Sequence, residues 1–242
     1  MNTITIVIPT LNEESGIRET ISSIPMAILK KNYDVEILVV DGKSKDRTIE
    51  IAKEAGANII IEERKGYGRA YKTGFNRAKG EIIITMDADA TYPAERIPEY
   101  LSLLEQNNID FLTINRFDSM DKDAMNRLHK LGNFALSKLL RLIYSLNIRD
   151  SQSGMWIMKK SFAKQISIAS DGMPFSQDIK IVAFKYFKAM EAGGSYFKRL
   201  GEAKMNLIHD GLPLFKNLFV FKGQLSHCLE KLPLEPLPMI GK

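Results

Sequence analysis

The sequence predicts an α/β fold, a doubly wound, mostly parallel sheet flanked by helices and followed by a helical region. Three observations carry that prediction. Short β-branched runs alternate with helix-like stretches through the first half of the chain, the connections between them are short, and acidic or glycine-rich clusters follow the first, second and fourth runs. Such alternation implies right-handed crossovers and a parallel sheet covered on both faces. Sheets of this kind bind ligands beyond the carboxyl ends of their strands.

The elements follow in order. Residues 3–9 form a β-branched run ending in Pro9, and the polar, periodic residues 12–24 read as a helix. Residues 35–40 are the second strand, Ser44 or Asp46 a candidate N-cap, and 47–55 a helix closed by Gly56 at its C′ position. Residues 58–61 are a third strand before a helix over 68–78 that Gly80 stops. Residues 81–86 are a fourth, and a helix follows from Pro93 to about Gln106, the proline suiting a first turn. Residues 110–114 are the fifth strand. Beyond Arg116 the rhythm stops, and 124–148 and 177–192 read as helices around a short strand or hairpin at 153–159.

With 242 residues, 45% of them hydrophobic, the chain can bury the core of one large domain. The expected layout is residues 1–210 as that domain, with halves 1–116 and 117–210, and 211–242 as a tail. The N-terminus lacks the basic and apolar regions of a secretory signal, so it reads as structural. No stretch approaches the ~20 apolar residues of a membrane span. One cysteine, Cys228, excludes an internal disulfide and reads as a small buried apolar residue. A formal net charge of +5 points to anionic partners, but no nucleic-acid-binding motif is present, so nucleic acid is set aside. A cytoplasmic location follows as the expectation.

Asp87 and Asp89 lie one residue apart where the apolar fourth strand ends. In an extended segment both carboxylates point to one side and can share a divalent cation, Mg²⁺ or Mn²⁺, with substrate phosphates. Two acids capping a strand-to-turn junction is the plainer reading. His129, His209 and His227 lack metal-ligand spacing. Gly66-Tyr67-Gly68 lacks the third glycine of a nicotinamide-binding fingerprint.

Residues 8–14 (Ile-Pro-Thr-Leu-Asn-Glu-Glu), 40–48 (Val-Asp-Gly-Lys-Ser-Lys-Asp-Arg-Thr), 66–70 (Gly-Tyr-Gly-Arg-Ala) and 86–93 (Met-Asp-Ala-Asp-Ala-Thr-Tyr-Pro) stand in one order. Over roughly the first 210 residues this resembles family 2 glycosyltransferases of the GT-A fold, and most of all dolichol-phosphate mannose synthases and related polyprenyl-phosphate glycosyltransferases. The resemblance implies that residues 1–116 bind a nucleotide sugar and 117–210 the acceptor. It implies that Pro9, Leu11, Glu13 and Asp41 hold the nucleoside, that Asp87 and Asp89 hold the metal with the diphosphate, and that Ala88 between them belongs to the nucleotide-sugar site. Gly42-Lys43 replaces an Asp-Gly pair, leaving Asp41 as the one base-reading acid, and Thr91 stands where mannose synthases carry glutamine.

Arg116 matches an arginine that contacts the acceptor phosphate, a task suited to a bidentate, always-charged group. Arg127 is a second candidate for it, or an ordinary solvated charge. Arg199 and Lys204 lie in a segment resembling the basic stretch that closes over the donor diphosphate, and surface pairing is their other reading. Asp178 matches an acidic position opening a later helix, as a base, as an orienting group or as an N-cap.

Residues 134–148 and 213–221 each gather apolar side chains with nearby Lys or Arg, and either lie at a bilayer interface or pack on the sheet. The expected activity is a metal-dependent, inverting hexosyl transfer to a polyprenyl (dolichyl) phosphate at the cytoplasmic face of a membrane, with peripheral contact and no spanning helix. GDP-mannose, UDP-glucose and UDP-N-acetylglucosamine are all open as donors. Transfer to a saccharide hydroxyl, with Asp178 as base, is the alternative, and non-catalytic binding of a nucleotide sugar a second.

Overall fold

The structure is a computed structural model that describes residues 2–201 and 207–228. Seven strands form one sheet: β1 (Asn2–Thr10), β2 (Tyr33–Asp41), β3 (Asn58–Ile61), β4 (Ile82–Thr85), β5 (Phe111–Met120), β6 (Trp156–Lys159) and β7 (Ala189–Tyr196). Their spatial order is β3-β2-β1-β4-β6-β5-β7. Only β6 runs against its neighbours, β4 and β5, while the other pairings are parallel. The doubly wound reading therefore holds.

Each strand contributes to both faces because side chains alternate. Ile4, Ile6 and Ile8 face one core layer with Ile84, Tyr100 and Leu104. Val7 turns to the other, with Val40, Ile83 and Trp156. The first layer is covered by α1 (Ile17–Ser22), α2 (Met26–Leu29), α3 (Thr48–Glu54) and α5 (Ile97–Gln106). The second is covered by α4 (Tyr67–Arg77), α6 (Arg127–Tyr144), α7 (Lys160–Gln165), α8 (Phe175–Tyr186) and α9 (Leu207–Gln224). Cys228 is buried in that second layer, as its apolar character implied.

Several boundaries differ from the expectation. The helix read over 12–24 is confined to α1, because residues 12–16 form a turn with Asn12 at φ 53°, and the short α2 begins only at Met26. Pro93 precedes a 3₁₀ turn (Ala94–Arg96), and it is Pro98 that occupies the first turn of α5. Gly56 does close α3, with φ 88°. Gly80 has another purpose: a Cβ there would stand 2.4 Å from the Thr5 nitrogen, so β1 approaches this backbone too closely for any side chain.

The largest correction falls on residues 177–192. The helix ends at Tyr186, and β7 follows as an edge strand parallel to β5. Ala-Met-Glu-Ala-Gly-Gly-Ser-Tyr contains no β-branched residue, so pairing with β5 overrides local propensity. β5 itself continues past Arg116 to Met120, with an irregularity in its pairing between Asn115 and Ser119. It crosses position 117, so residues on both sides of that position share one sheet.

Candidate active site

The carboxyl ends of β1, β2 and β4 lie side by side. Thr10 is in register with Asp41, and Val7 with Thr85, which places the turn 86–90 beside the other two strand ends. All three clusters picked out in the sequence therefore converge on one edge of the sheet. Gly16 makes the convergence tight, since a Cβ there would meet the Ala88 carbonyl oxygen at 2.6 Å. Ala88 is buried, and the Ala90 N–H donates to Thr20 Oγ1 at 2.9 Å, tying the turn to α1.

Asp87 and Asp89 occupy that turn rather than an extended segment, with Ala90 at φ 60°. Asp87 is half-buried and accepts two long hydrogen bonds, from Tyr67 Oη at 3.3 Å and Tyr71 Oη at 3.4 Å. Burial, and then the charge of Asp89, push its carboxyl up to about 7, against the pull of Arg116 and Arg199. Asp89 is buried and accepts from Thr91 Oγ1 at 2.7 Å. Its Oδ2 faces Arg199 Nη1 at 3.0 Å, while Arg199 Nη2 donates to Glu13 Oε1 at 2.7 Å. The residues before and after Arg199 are laced to the same turn, through Phe197 N to Thr91 O and Leu200 N to Asp89 O. Arg199 thus spans the first and third clusters.

Among the described residues no three His, Cys, Asp or Glu side chains converge as a metal cage. Two adjacent carboxylates, one of them poorly satisfied by neutral tyrosines, nonetheless suit a hard cation that completes its shell with substrate phosphate and water. The donor set fits Mg²⁺ or Mn²⁺ brought in with a nucleotide, and it does not fit a resident structural ion.

Arg116 lies at the start of the β5 irregularity, 6% exposed. Its Nε and Nη2 donate to the two oxygens of Asp150 at 2.7 and 2.9 Å. Burial opposes its charge, but Asp150 overcomes this and holds the guanidinium well above its ordinary value. The same pairing outweighs burial at Asp150 and depresses that carboxyl to about 2. The guanidinium lies over the Tyr196 ring at 5.1 Å, and its charge is felt at Asp87. Lys180, wholly buried, donates to the carbonyls of Asp150 at 3.1 Å and Ser153 at 2.7 Å. Burial draws its ammonium down to about 7.

The remaining predicted residues divide. Pro9 lies in β1, Leu11 is exposed at 48%, and Glu13 joins Arg199. Asp41 is fully buried and accepts from Thr10 Oγ1, Ser44 N and Ser44 Oγ at 2.6–2.8 Å. Three protein donors order the turn after β2 and leave no need of a nucleobase to account for this acid. Arg127 is exposed at the first position of α6 and forms no ion pair among the described residues. Lys204 lies outside them.

Asp178 is not brought to the carboxylate pair. Its oxygens accept from Ser170 Oγ at 2.6 Å and Asn217 Nδ2 at 2.7 Å, which fixes α8 to α9. It sits inside the first turn of α8, where Pro174 is the capping residue, so it is no N-cap. Ser176 and Lys180, and not Asp178, are the α8 side chains that reach the Asp150–Gly154 loop.

Sequence reasoning assigned no role to Tyr67, Tyr92, Asp150 or Gly154. Tyr92 accepts from Gly154 N at 2.6 Å, and Gly154 packs so closely that a Cβ would stand 2.5 Å from Tyr67 Oη and 3.0 Å from the Asp87 carboxylate. Tyr67 and Tyr92 lie inside motifs already quoted, which was the available signal. Asp150 had none, because its pairing exists only once β5 and the loop before β6 are neighbours.

Comparison with known proteins identifies the family and the fold. The model of Glycosyl transferase family 2 matches residues 5–167. The chain is 34% identical over 212 residues to the low-salt glycan biosynthesis hexosyltransferase Agl6 of Haloferax volcanii, covering 86% of this chain but 51% of that one, about half its length. It is 27% identical to a dolichyl-phosphate hexose transferase of the same organism, covering 93% of this chain and 94% of that one. A solved structure of glucosyl-3-phosphoglycerate synthase from Mycobacterium tuberculosis, in complex with Mn²⁺, UDP and glucosyl-3-phosphoglycerate, superposes with a TM-score of 0.70 at 19% identity, over 92% of this chain and 80% of that one. The shared architecture is the GT-A fold, and the family model covers more than half of the sequence. The chain belongs to glycosyl transferase family 2.

Proposed function

We propose that the chain transfers a hexose, with inversion, from a nucleotide sugar to a polyprenyl (dolichyl) phosphate. The observation that carries this reading is the carboxylate pair Asp87–Asp89 at the end of β4, with Arg199 against Asp89 and the charge of Arg116 reaching Asp87. A diphosphate leaving group needs the first side of that arrangement and a phosphate acceptor the second. The name of the dolichyl-phosphate hexose transferase, which this chain matches over nearly its whole length, supports the acceptor class.

In this reading the Asp41–Ser44 turn shapes the nucleoside end, with Pro9, Leu11 and Glu13 beside it and Ala88 closing the floor. Residues 1–116 supply most of the donor side and 117–210 most of the acceptor side, with Arg116 and Arg199 each serving the other side. Asp87 and Asp89 would hold a Mg²⁺ or Mn²⁺ ion, which would supply charge neutralisation to the departing diphosphate. Arg199, with Lys204 beyond it, meets the diphosphate. Arg116, held rigid by Asp150, and Arg127 orient the acceptor phosphate. One oxygen of that phosphate attacks the anomeric carbon, the bond from that carbon to the diphosphate oxygen breaks, and the nucleoside diphosphate leaves with the electron pair. A phosphate monoester is largely anionic at neutral pH, so no protein base is required. This agrees with Asp178 being bonded elsewhere, whereas a saccharide hydroxyl acceptor would need such a base. Positioning and electrostatics account for the acceleration. In the same reading, catalysis runs at the cytoplasmic face of a membrane.

The test is incubation of the chain with Mg²⁺ or Mn²⁺, GDP-mannose, UDP-glucose or UDP-N-acetylglucosamine, and a short polyprenyl phosphate, with mass spectrometry of the lipid and an Asp87→Ala control. A metal-dependent sugar-phosphate-lipid product absent from the control bears the proposal out. Glycosylated saccharide with no lipid product under any donor refutes the acceptor. Donor binding with neither transfer nor hydrolysis would leave a non-catalytic protein.

A further inference from the structure

α6 and α9 lie side by side over the second core layer. Leu140 and Tyr144 of α6 and Leu218 and Phe221 of α9 are buried in one cluster, and Tyr144 Oη donates to the Leu218 carbonyl at 2.6 Å. Their opposite faces turn outward from the same core, and those faces are apolar. Leu131, Phe134 and Leu142 of α6, with Leu212, Phe215 and Phe219 of α9, are 49–71% exposed. Of the twelve exposed large apolar side chains among the described residues, eight belong to these two helices. Scattered exposed leucines need no explanation, but a concentration on two adjacent helices marks a contact surface.

The charge on the same faces selects the partner. α6 carries Arg127, Lys130, Lys138 and Arg141 and no acid in its eighteen residues. α9 adds exposed Lys216 and Lys222, and its one acid, Asp210, lies at its N-terminal end. Lys138, Arg141 and Leu142 line a shallow pocket of about 370 Å³ at the end of α6, where an apolar chain and an anionic headgroup would both be met. A second copy docked across a two-fold axis would set these cations against their own kind. No helix among the described residues is long and apolar enough to cross a membrane, so the fitting geometry is helices lying in the interface plane with cations at the headgroups.

We propose that the outer faces of α6 and α9 form one docking surface for an anionic lipid bilayer. The surface stands on the geometry above, and its use in delivering the acceptor rests on the polyprenyl-phosphate reading. α6 links the two. Ser137 on its inner face bonds to Ser151 at 3.0 Å, next to the Asp150 that holds Arg116, so the bilayer and Arg116 would sit on opposite sides of one helix.

The experiment is flotation of the whole chain with phosphatidylcholine vesicles, with and without phosphatidylglycerol, alongside Phe134→Ser/Phe219→Ser and Lys138→Glu/Arg141→Glu. Circular dichroism reports on folding, light scattering on oligomeric state, and turnover on a water-soluble short-chain polyprenyl phosphate is measured in parallel. Binding that requires phosphatidylglycerol and falls about ten-fold or more in each folded variant supports the surface. Absence of binding to anionic vesicles overturns it, as does binding that both variants retain, or a dimer of the parent chain that the Phe134→Ser/Phe219→Ser variant disperses. The soluble assay separates the two proposals: vesicle binding without turnover on any polyprenyl phosphate leaves the surface standing and refutes the acceptor, and turnover without vesicle binding does the reverse.

Discussion

Arg116 and Asp150 form a buried bidentate pair, and the Arg116 backbone N–H closes a third bond to the same carboxylate at 3.0 Å. Removing either member alone strands a buried charge. Asp150→Asn should destabilise the chain by about 3–5 kcal/mol, and Arg116→Met in the same background should recover much of that loss without recovering transfer. Urea denaturation beside the lipid assay checks both. Asp150 titrates in the folded chain at about 2, below the ordinary carboxylate value of about 4. The stabilisation from this pair is therefore fully present above about pH 4 and is lost as pH falls through about 2.

Asp87→Asn keeps the size and tyrosine contacts of the side chain but removes a charge from the pair. Transfer should fall by ~10²-fold or more, with Mn²⁺ binding, followed by electron paramagnetic resonance in the presence of nucleoside diphosphate, weakened in step. Unchanged Mn²⁺ binding would remove this acid from the metal site.

Arg199 joins Glu13 to Asp89. Arg199→Ala should raise donor KM by roughly ten-fold, the scale of one charge-assisted contact, with acceptor KM little changed. A change confined to acceptor KM would contradict its assignment to the diphosphate side.

Gly154→Ala inserts a methyl group 2.5 Å from Tyr67 Oη and 3.0 Å from the Asp87 carboxylate, at a residue whose φ is not in the left-handed region. The chain should fold and lose most of its activity, because Tyr67 or Asp87 must shift. Gly80→Ala, which meets the β1 backbone at 2.4 Å, should instead lower the melting temperature, by thermal unfolding, with little change in activity per folded molecule.

Asp178 is raised to about 7, chiefly by burial. With its folded value above the unfolded one, its contribution to stability is present below about pH 4 and declines as pH rises through 7. Asp178→Asn should therefore stabilise the chain at pH 8, by up to about 4 kcal/mol, and leave lipid transfer running. Loss of all turnover with donor binding intact would restore the saccharide-hydroxyl reading, in which this acid is the base.

The sequence by itself determined the parallel half of the sheet and the edge at which the site lies. Apolar, β-branched runs such as Ile82–Thr85 have no stable alternative to a doubly covered strand, and acidic turns following them must fall at the carboxyl ends. Asp87, Asp89, Glu13 and Arg199, which the structure brings to one edge, stand in motifs that are local in the chain. Tertiary structure alone decided the rest. β7 is a strand because β5 offers an unpaired edge to a segment with little preference of its own. Arg116 owes its burial and rigidity to Asp150, 34 residues away, and Asp178 turns to Ser170 and Asn217 because α9 packs on α8 there. Periodicity and spacing record what a residue does with its neighbours along the chain. Which distant group satisfies a buried charge is fixed only when the elements meet, since the cost of an unpaired charge acts through space and leaves no mark on local pattern.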